Sequence, residues 1–136
     1  MNSGNSSLCN TSGLPIVELP GFSDVELGAG YHTSLKKIGD SIVLIQSRGN
    51  LTNHDADIFY SKVDAFCSAA GVRDPYVQIR DFTYLEGRAS LGALKKQLRR
   101  LYQQRNRMIG LVMINKPSWV KSFITRWLRF FETRWK

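Results

Sequence analysis

Along this chain the spacing of apolar and polar positions changes period several times, and each change marks an element. Residues 31–38 and 41–47 are two β-prone runs on either side of Gly39 and Asp40, a pair that predicts a two-residue hairpin turn. The second run, Ser-Ile-Val-Leu-Ile-Gln-Ser, is apolar enough for a central strand. Ile58, Phe59, Val63, Phe66, Cys67 and Ala70 then recur on one face of a helix that ends near Gly71, and Thr52 and Asp55 stand at capping-box spacing before it. A strand follows over residues 76–82, where Val77 and Ile79 alternate with Gln78 and Arg80 until Asp81 closes the run. Leu91, Leu94, Leu98 and Leu101 return to helical spacing within a helix predicted over residues 88–107. Residues 108–114 are continuously apolar, as in strands buried on both faces of a parallel sheet, and Asn115, Lys116 and Pro117 introduce a last helix from Ser118.

The order is hairpin, helix, strand, helix, strand, helix. Strands alternating with helices require crossover connections, so the fold class is α/β: a mixed sheet of four to five strands, an N-terminal hairpin, parallel crossovers and three to four helices. Residues 14–20 are short and apolar between Pro15 and Pro20, which suits an edge strand or an extended lead-in. Residues 1–13 are nearly all Asn, Ser, Gly and Thr and read as a disordered tail, because they cannot bury enough apolar area to offset chain entropy. Residues 14–136 are then one α/β domain, or the first module of a longer signalling protein.

Composition adds an asymmetry of charge. Residues 1–87 hold 6 Lys and Arg against 10 Asp and Glu, whereas residues 88–136 hold 13 against the single Glu132. The basic C-terminal third suits an anionic partner: nucleic acid, a membrane surface or an acidic protein face. Cys9 and Cys67 suggest neither a disulfide framework nor a zinc site, and Cys67 falls on the apolar helical stripe as a small core residue. No basic-then-apolar leader opens the chain, and the expected location is cytoplasmic.

Candidate chemistry concentrates where the strand of Asp81 feeds the next helix, since ligands and partners of open α/β sheets meet the carboxyl ends of strands. Asp81 either contacts a partner or caps the following turn by bonding its own backbone. Thr83 and Ser90 are the hydroxyls open to phosphorylation, and a phosphate on Ser90 would sit near a helix start beside Arg88. Lys96, Arg99, Arg100, Gln103 and Arg107 form one stripe opposite the leucines, either a solvated face or a surface for an acidic partner. The last helix carries Val120, Phe123, Ile124, Trp127, Phe131 and Trp135 on one side, which suits sheet packing, an anionic membrane surface or pairing with a second copy. Catalysis has no support. His32 and His54 have no spaced acid or thiol partner, Gly28 and Gly30 lack the rest of a dinucleotide fingerprint, and neither a cofactor nor a metal is expected.

Residues 31–131 resemble the STAS fold of anti-sigma-factor antagonists, in its divergent branch of free-standing or kinase-linked modules. In that family a strand ends in an aspartate, an apolar pair follows, and an Asp-Ser-Ser-Gly-like loop opens the next helix. The corresponding run here is Asp81, Phe82, Thr83, Tyr84, Leu85, Glu86, Gly87, Arg88, Ala89. Glu86 keeps the acid, but Gly87 lies where members switched by phosphorylation carry serine. Residues 48–59 and 108–119 add similar stretches. The resemblance implies a non-catalytic regulatory module of bacterial signal transduction that docks onto a protein partner or a neighbouring kinase or sensor domain. The contact residues would be Asp81, Thr83, Glu86, Gly87, Arg88, Ser90, Lys96, Arg99 and Arg100. The alternative is nucleic-acid or anionic-membrane binding through the basic third.

Overall fold

The computed structural model describes residues 5–28, 30–50, 53–85 and 91–114. Seven strands form one mixed sheet: β1 (Asn5–Leu8), β2 (Pro15–Glu18), β3 (Val25–Gly28), β4 (Tyr31–Ile38), β5 (Ile42–Gly49), β6 (Tyr76–Leu85) and β7 (Met108–Ile114). The helices among the described residues are α1 (Asn53–Ala70), between β5 and β6, and α2 (Leu91–Gln103), between β6 and β7. The sheet runs β1-β2-β4-β5-β6-β7, and β3 also pairs β4. Pairing is antiparallel from β1 to β5 and parallel between β5, β6 and β7, so the predicted α/β class with its hairpin and crossovers is what the chain adopts.

The strand count exceeds the predicted four to five because the N-terminal strands are short. Asn5–Leu8, assigned to a disordered tail by composition, pairs β2 over four residues. β2 in turn lies between β1 and β4 rather than at an edge, with Pro15 at its first position, where a missing N–H is tolerated. β4 is long enough to hold β2 beside Lys36–Ile38 and β3 beside Tyr31–Thr33. The β4–β5 hairpin forms as predicted, with Ile38 opposite Ile42, so three residues rather than two make its turn, and Gly39 supplies the positive φ of 61°.

α1 buries Ala56, Phe59, Val63, Phe66 and Cys67 against Tyr31, Leu35, Val43, Ile45 and Tyr76 of the sheet. Phe66 and Phe59 are 0% and 1% exposed, each a burial worth about 1.5–3 kcal/mol. Phe66 meets Phe22 edge-to-face at 5.2 Å, and Phe59 meets Tyr31 likewise at 6.1 Å. Ile58, expected on this stripe, is exposed: the inward positions run 56, 59, 60, 63, 66, 67, and one residue off that series points to solvent. The helix ends in a Schellman pattern, with Val72 N–H donating to Cys67 O at 3.0 Å and Gly71 at φ 64°. Lys37 reaches across from β4 to donate to Ala70 O at 2.7 Å, a cation at the negative end of the helix dipole. The Thr52 cap lies outside the described residues.

β7 departs from its predicted burial. It has β6 as its partner in the sheet and ends the strand order, and Ile109, Val112 and Ile114 are exposed among the described residues. A continuous apolar run is therefore not by itself evidence of a central strand. The last helix predicted from Ser118, with its apolar face, lies outside the described residues.

Candidate functional site

The parallel strands β5 and β6 stay paired past Asp81. Among the described residues, β6 pairs β7 as far as Asp81 opposite Ile114 and pairs β5 on to Leu85 opposite Gly49. Between Gln46–Asp81 and Arg48–Tyr84 the register slips, because β6 spends three residues where β5 spends two. Such a bulge re-aims the side chains beyond it, and here it follows Asp81 directly. The strand expected to end at Asp81 thus runs on to Leu85.

Asp81 bonds locally. Its Oδ1 accepts from the Thr83 N–H at 2.9 Å and also from the Thr83 hydroxyl. Burial opposes ionisation of this carboxyl, but the Thr83 hydroxyl, the Thr83 amide and Gln46 outweigh it and hold the group below its ordinary range. This is the self-capping role of the two that the sequence left open.

Beyond the bulge, Thr83, Tyr84 and Leu85 line one side of a cleft of about 420 Å³, and Gly30, His32, Arg48 and Gly49 line the other. Tyr84 is 70% exposed, a large aromatic ring standing in water. Arg48 is its register partner on β5, and His32 is the partner of Arg48 on β4, so three chain segments deliver these side chains side by side. Arg48 donates Nε and Nη2 to the two carboxylate oxygens of Asp24 at 2.9 and 3.0 Å. That fork holds the Asp24 carboxyl below its ordinary value. Asp24 itself sits at φ 47°, a conformation aspartate tolerates better than most residues, with its N–H on Ser34 Oγ at 2.7 Å. His32 Nδ1 is 3.8 Å from Asp24 Oδ1, and this buried nitrogen has no hydrogen-bond partner among the described residues. Gly49 is required here: its φ is 90°, and a Cβ would lie 1.6 Å from Gly30 O.

Thr83 and Asp81 are therefore at the rim, whereas Glu86, Gly87, Arg88 and Ser90 lie outside the described residues. The basic stripe is placed differently from the rim. Lys96 pairs with Asp57 at 2.5 Å and Arg100 with Asp64, both across the α1–α2 contact, while Arg99 is exposed. Arg107 pairs with Asp74 at 2.9 Å. Among the described residues, three of the 13 Lys and Arg of residues 88–136 are thus paired with acids from earlier in the chain. Cys67 is buried as expected, and burial pushes its thiol up to about 11. No cluster of three or more metal-ligating side chains occurs among the described residues, and no described helix is long and apolar enough to cross a membrane.

The sequence reading missed His32, Arg48 and Tyr84 as neighbours. Part of the signal was available, because a hairpin pairing Ile38 with Ile42 also sets His32 opposite Arg48. The link from Arg48 to Tyr84 depends on a parallel register and a bulge that no local rule specifies.

No family model and no curated protein matches the chain. Among solved structures it is similar to an uncharacterized protein of the DUF3478 family with a SpoIIAA-like fold from Shewanella loihica PV-4. The TM-score is 0.52 and the identity 21%, over 75% of this chain and 79% of that one. The phosphorylated form of the Bacillus cell fate determinant SpoIIAA matches at TM-score 0.47 and 20% identity, over 69% of this chain and 82% of that one. The chain has a SpoIIAA-like fold, of the STAS-like kind that the residues around Asp81 resemble.

Proposed function

We propose that this domain is a non-catalytic regulatory module of bacterial signal transduction, working in the cytoplasm by docking onto a protein partner or a neighbouring kinase or sensor domain. The contact surface is the end of β6 beyond the bulge, Asp81, Thr83 and Tyr84 with Arg48 beside them, together with Glu86, Gly87, Arg88 and Ser90, which follow in sequence. The observation that carries this reading is Tyr84, 70% exposed next to an arginine already oriented by a carboxylate. Tyrosine and arginine are the residues most enriched where binding energy concentrates, and a ring held on a strand loses little freedom on contact. Thr83 sits close enough to this ring that a phosphate on it would change the charge of the surface.

The alternative, attachment to nucleic acid or an anionic membrane through the basic third, has less to draw on among the described residues. Lys96 and Arg100 already face acids of α1, and Lys95 and Arg99 are the exposed cations of that helix.

Photo-cross-linking in the native cells tests the reading, with a benzophenone side chain replacing Tyr84 in one strain and Tyr102, on α2, in another. A discrete protein adduct from position 84 that survives moderate salt is the expected result. Adducts from position 102 alone, or to nucleic acid and lost in salt, would transfer the function to the basic face.

A further inference from the structure

On the helix-covered face of the sheet, away from the Tyr84 rim, α1, α2, β6 and the start of β7 border a second hollow. Tyr60, Val63, Asp64, Tyr76, Gln78, Arg80 and Arg100 are among its lining residues. Its cavity volume is about 20 Å³, room for one small guest, and it is partly open to solvent.

What surrounds that space is unusual for an interior. Arg80 is 6% exposed, yet it forms no salt bridge among the described residues. Its Nε–H donates to Gln78 Oε1 at 2.7 Å, and Gln78 is itself 4% exposed. The guanidinium carbon lies 5.2 Å from the Phe59 ring centroid and 6.0 Å from that of Tyr60. These ring faces compensate a buried cation only in part, because a charge taken out of water costs several kcal/mol unless an opposite charge meets it. The Tyr60 hydroxyl, on a residue 9% exposed, is buried beside the Arg80 side chain, and its proton has no acceptor among the described residues. Arg100 approaches the same ring at 5.8 Å.

The charged groups facing the hollow are Arg80, Arg100 and Asp64, and Asp57 acts on Tyr60 from the preceding turn of α1. Asp64 is taken by Arg100 and Asp57 by Lys96, and no carboxylate among the described residues forms an ion pair with Arg80. A guanidinium without such a pair, a hydroxyl free to donate and a space of this size describe a receptor for a small, spherical, monovalent anion. A neutral water would satisfy the hydroxyl but not the charge.

We propose that this hollow binds a single halide-sized anion, chloride under ordinary conditions, held by the Arg80 guanidinium and the Tyr60 O–H. Binding to the folded state alone stabilises it by mass action, so chloride is a structural ligand joining α1 to β6.

Two measurements on the full chain decide the matter. Thermal unfolding in sodium chloride is compared with unfolding in sodium gluconate at equal ionic strength, for the wild type, Arg80→Met and Tyr60→Phe. Crystals of the wild type are soaked in bromide. Expected are a wild-type melting temperature higher in chloride by about 2–5 °C, a gain at least halved in Tyr60→Phe and absent in Arg80→Met, and anomalous bromide density between Arg80 and Tyr60. Should Arg80→Met fail to fold, Tyr60→Phe keeps the comparison. Equal melting of the wild type in the two salts overturns the proposal, whether a water or bromide occupies the hollow, the latter being binding at crystal concentration only. A full chloride effect in either variant overturns it as well.

Discussion

Replacing Gly49 by alanine is expected to destabilise the domain by about 1–5 kcal/mol. Gly49 sits at φ 90° beside the Tyr84 cleft, and a Cβ there would be 1.6 Å from Gly30 O and 3.4 Å from Tyr31 Cα. Two effects add. An L-residue held at positive φ costs about 1–2 kcal/mol, partly offset by the ~0.4–1 kcal/mol that alanine contributes by restricting the unfolded chain. The contact is the larger effect, because real Cβ atoms essentially never come nearer than 3.0 Å and the obstacle is backbone rather than a flexible tip. The start of β4 must therefore withdraw, stretching the Asn50 N–H bond to Gly30 O, now 3.3 Å, and the first rung of the β4–β5 ladder at Tyr31–Gly49. Two weakened hydrogen bonds at about 0.5–1.5 kcal/mol each, plus the strain, bring the total to the range given. Gly21 is the control, since its φ is 82° but nothing lies within 4 Å of its Cβ position. Gly21→Ala should lose only the dihedral part, about 1 kcal/mol or less. Urea unfolding followed by circular dichroism measures both, and equal losses in the two variants would refute the close approach of Gly30 to Gly49.

Three other outcomes follow from the same geometry. Phe66→Ala, at a fully buried ring packed on Phe22, should cost about 3–5 kcal/mol by urea unfolding; a loss below about 1.5 kcal/mol would mean α1 does not cover the sheet this way. A double-mutant cycle on Asp64 and Arg100 should return a coupling of about 0.5–1 kcal/mol that shrinks in high salt, since Asp64 is half exposed; zero coupling would free Arg100 for an outside partner. Stability should fall as pH rises above the ordinary thiol range, because the unfolded chain releases the Cys67 proton there while the native thiol keeps it to about 11. Cys67→Ala should flatten that decline, and an unchanged profile would place the loss elsewhere.

The elements with a strong local period were legible: the β4–β5 hairpin from its glycine turn, α1 from its buried stripe and Gly71 cap, β6 from alternation up to Asp81. What escaped reading depended on distant partners. Asn5–Leu8 is polar enough to look unstructured, and it becomes a strand only because β2 offers it a ladder. Thr83 to Leu85 lacks the alternation of the residues before it, because the bulge after Asp81 breaks the period while β5 keeps the pairing. For the site, Asp81 and Thr83 were visible at a strand end, whereas Tyr84 took its meaning from Arg48 and His32, brought beside it from far away in sequence. Lys96, Arg99, Arg100 and Gln103 of the basic stripe lie on α2, but the helix stops at Gln103 and leaves Arg107 in the turn after it, and the partners Asp57 and Asp64 sit 39 and 36 positions earlier, beyond any helical spacing rule.

Those ion pairs also order events during synthesis. Asp57, Asp64 and Asp74 leave the ribosome well before Lys96, Arg100 and Arg107, so for a time α1 and the segment after it carry acids whose counter-charges do not yet exist. Over residues 1–75 the chain holds 5 Lys and Arg against 8 Asp and Glu, a like-charge excess that disfavours edge-to-edge pairing of β5 with a second copy before β6 can cover it.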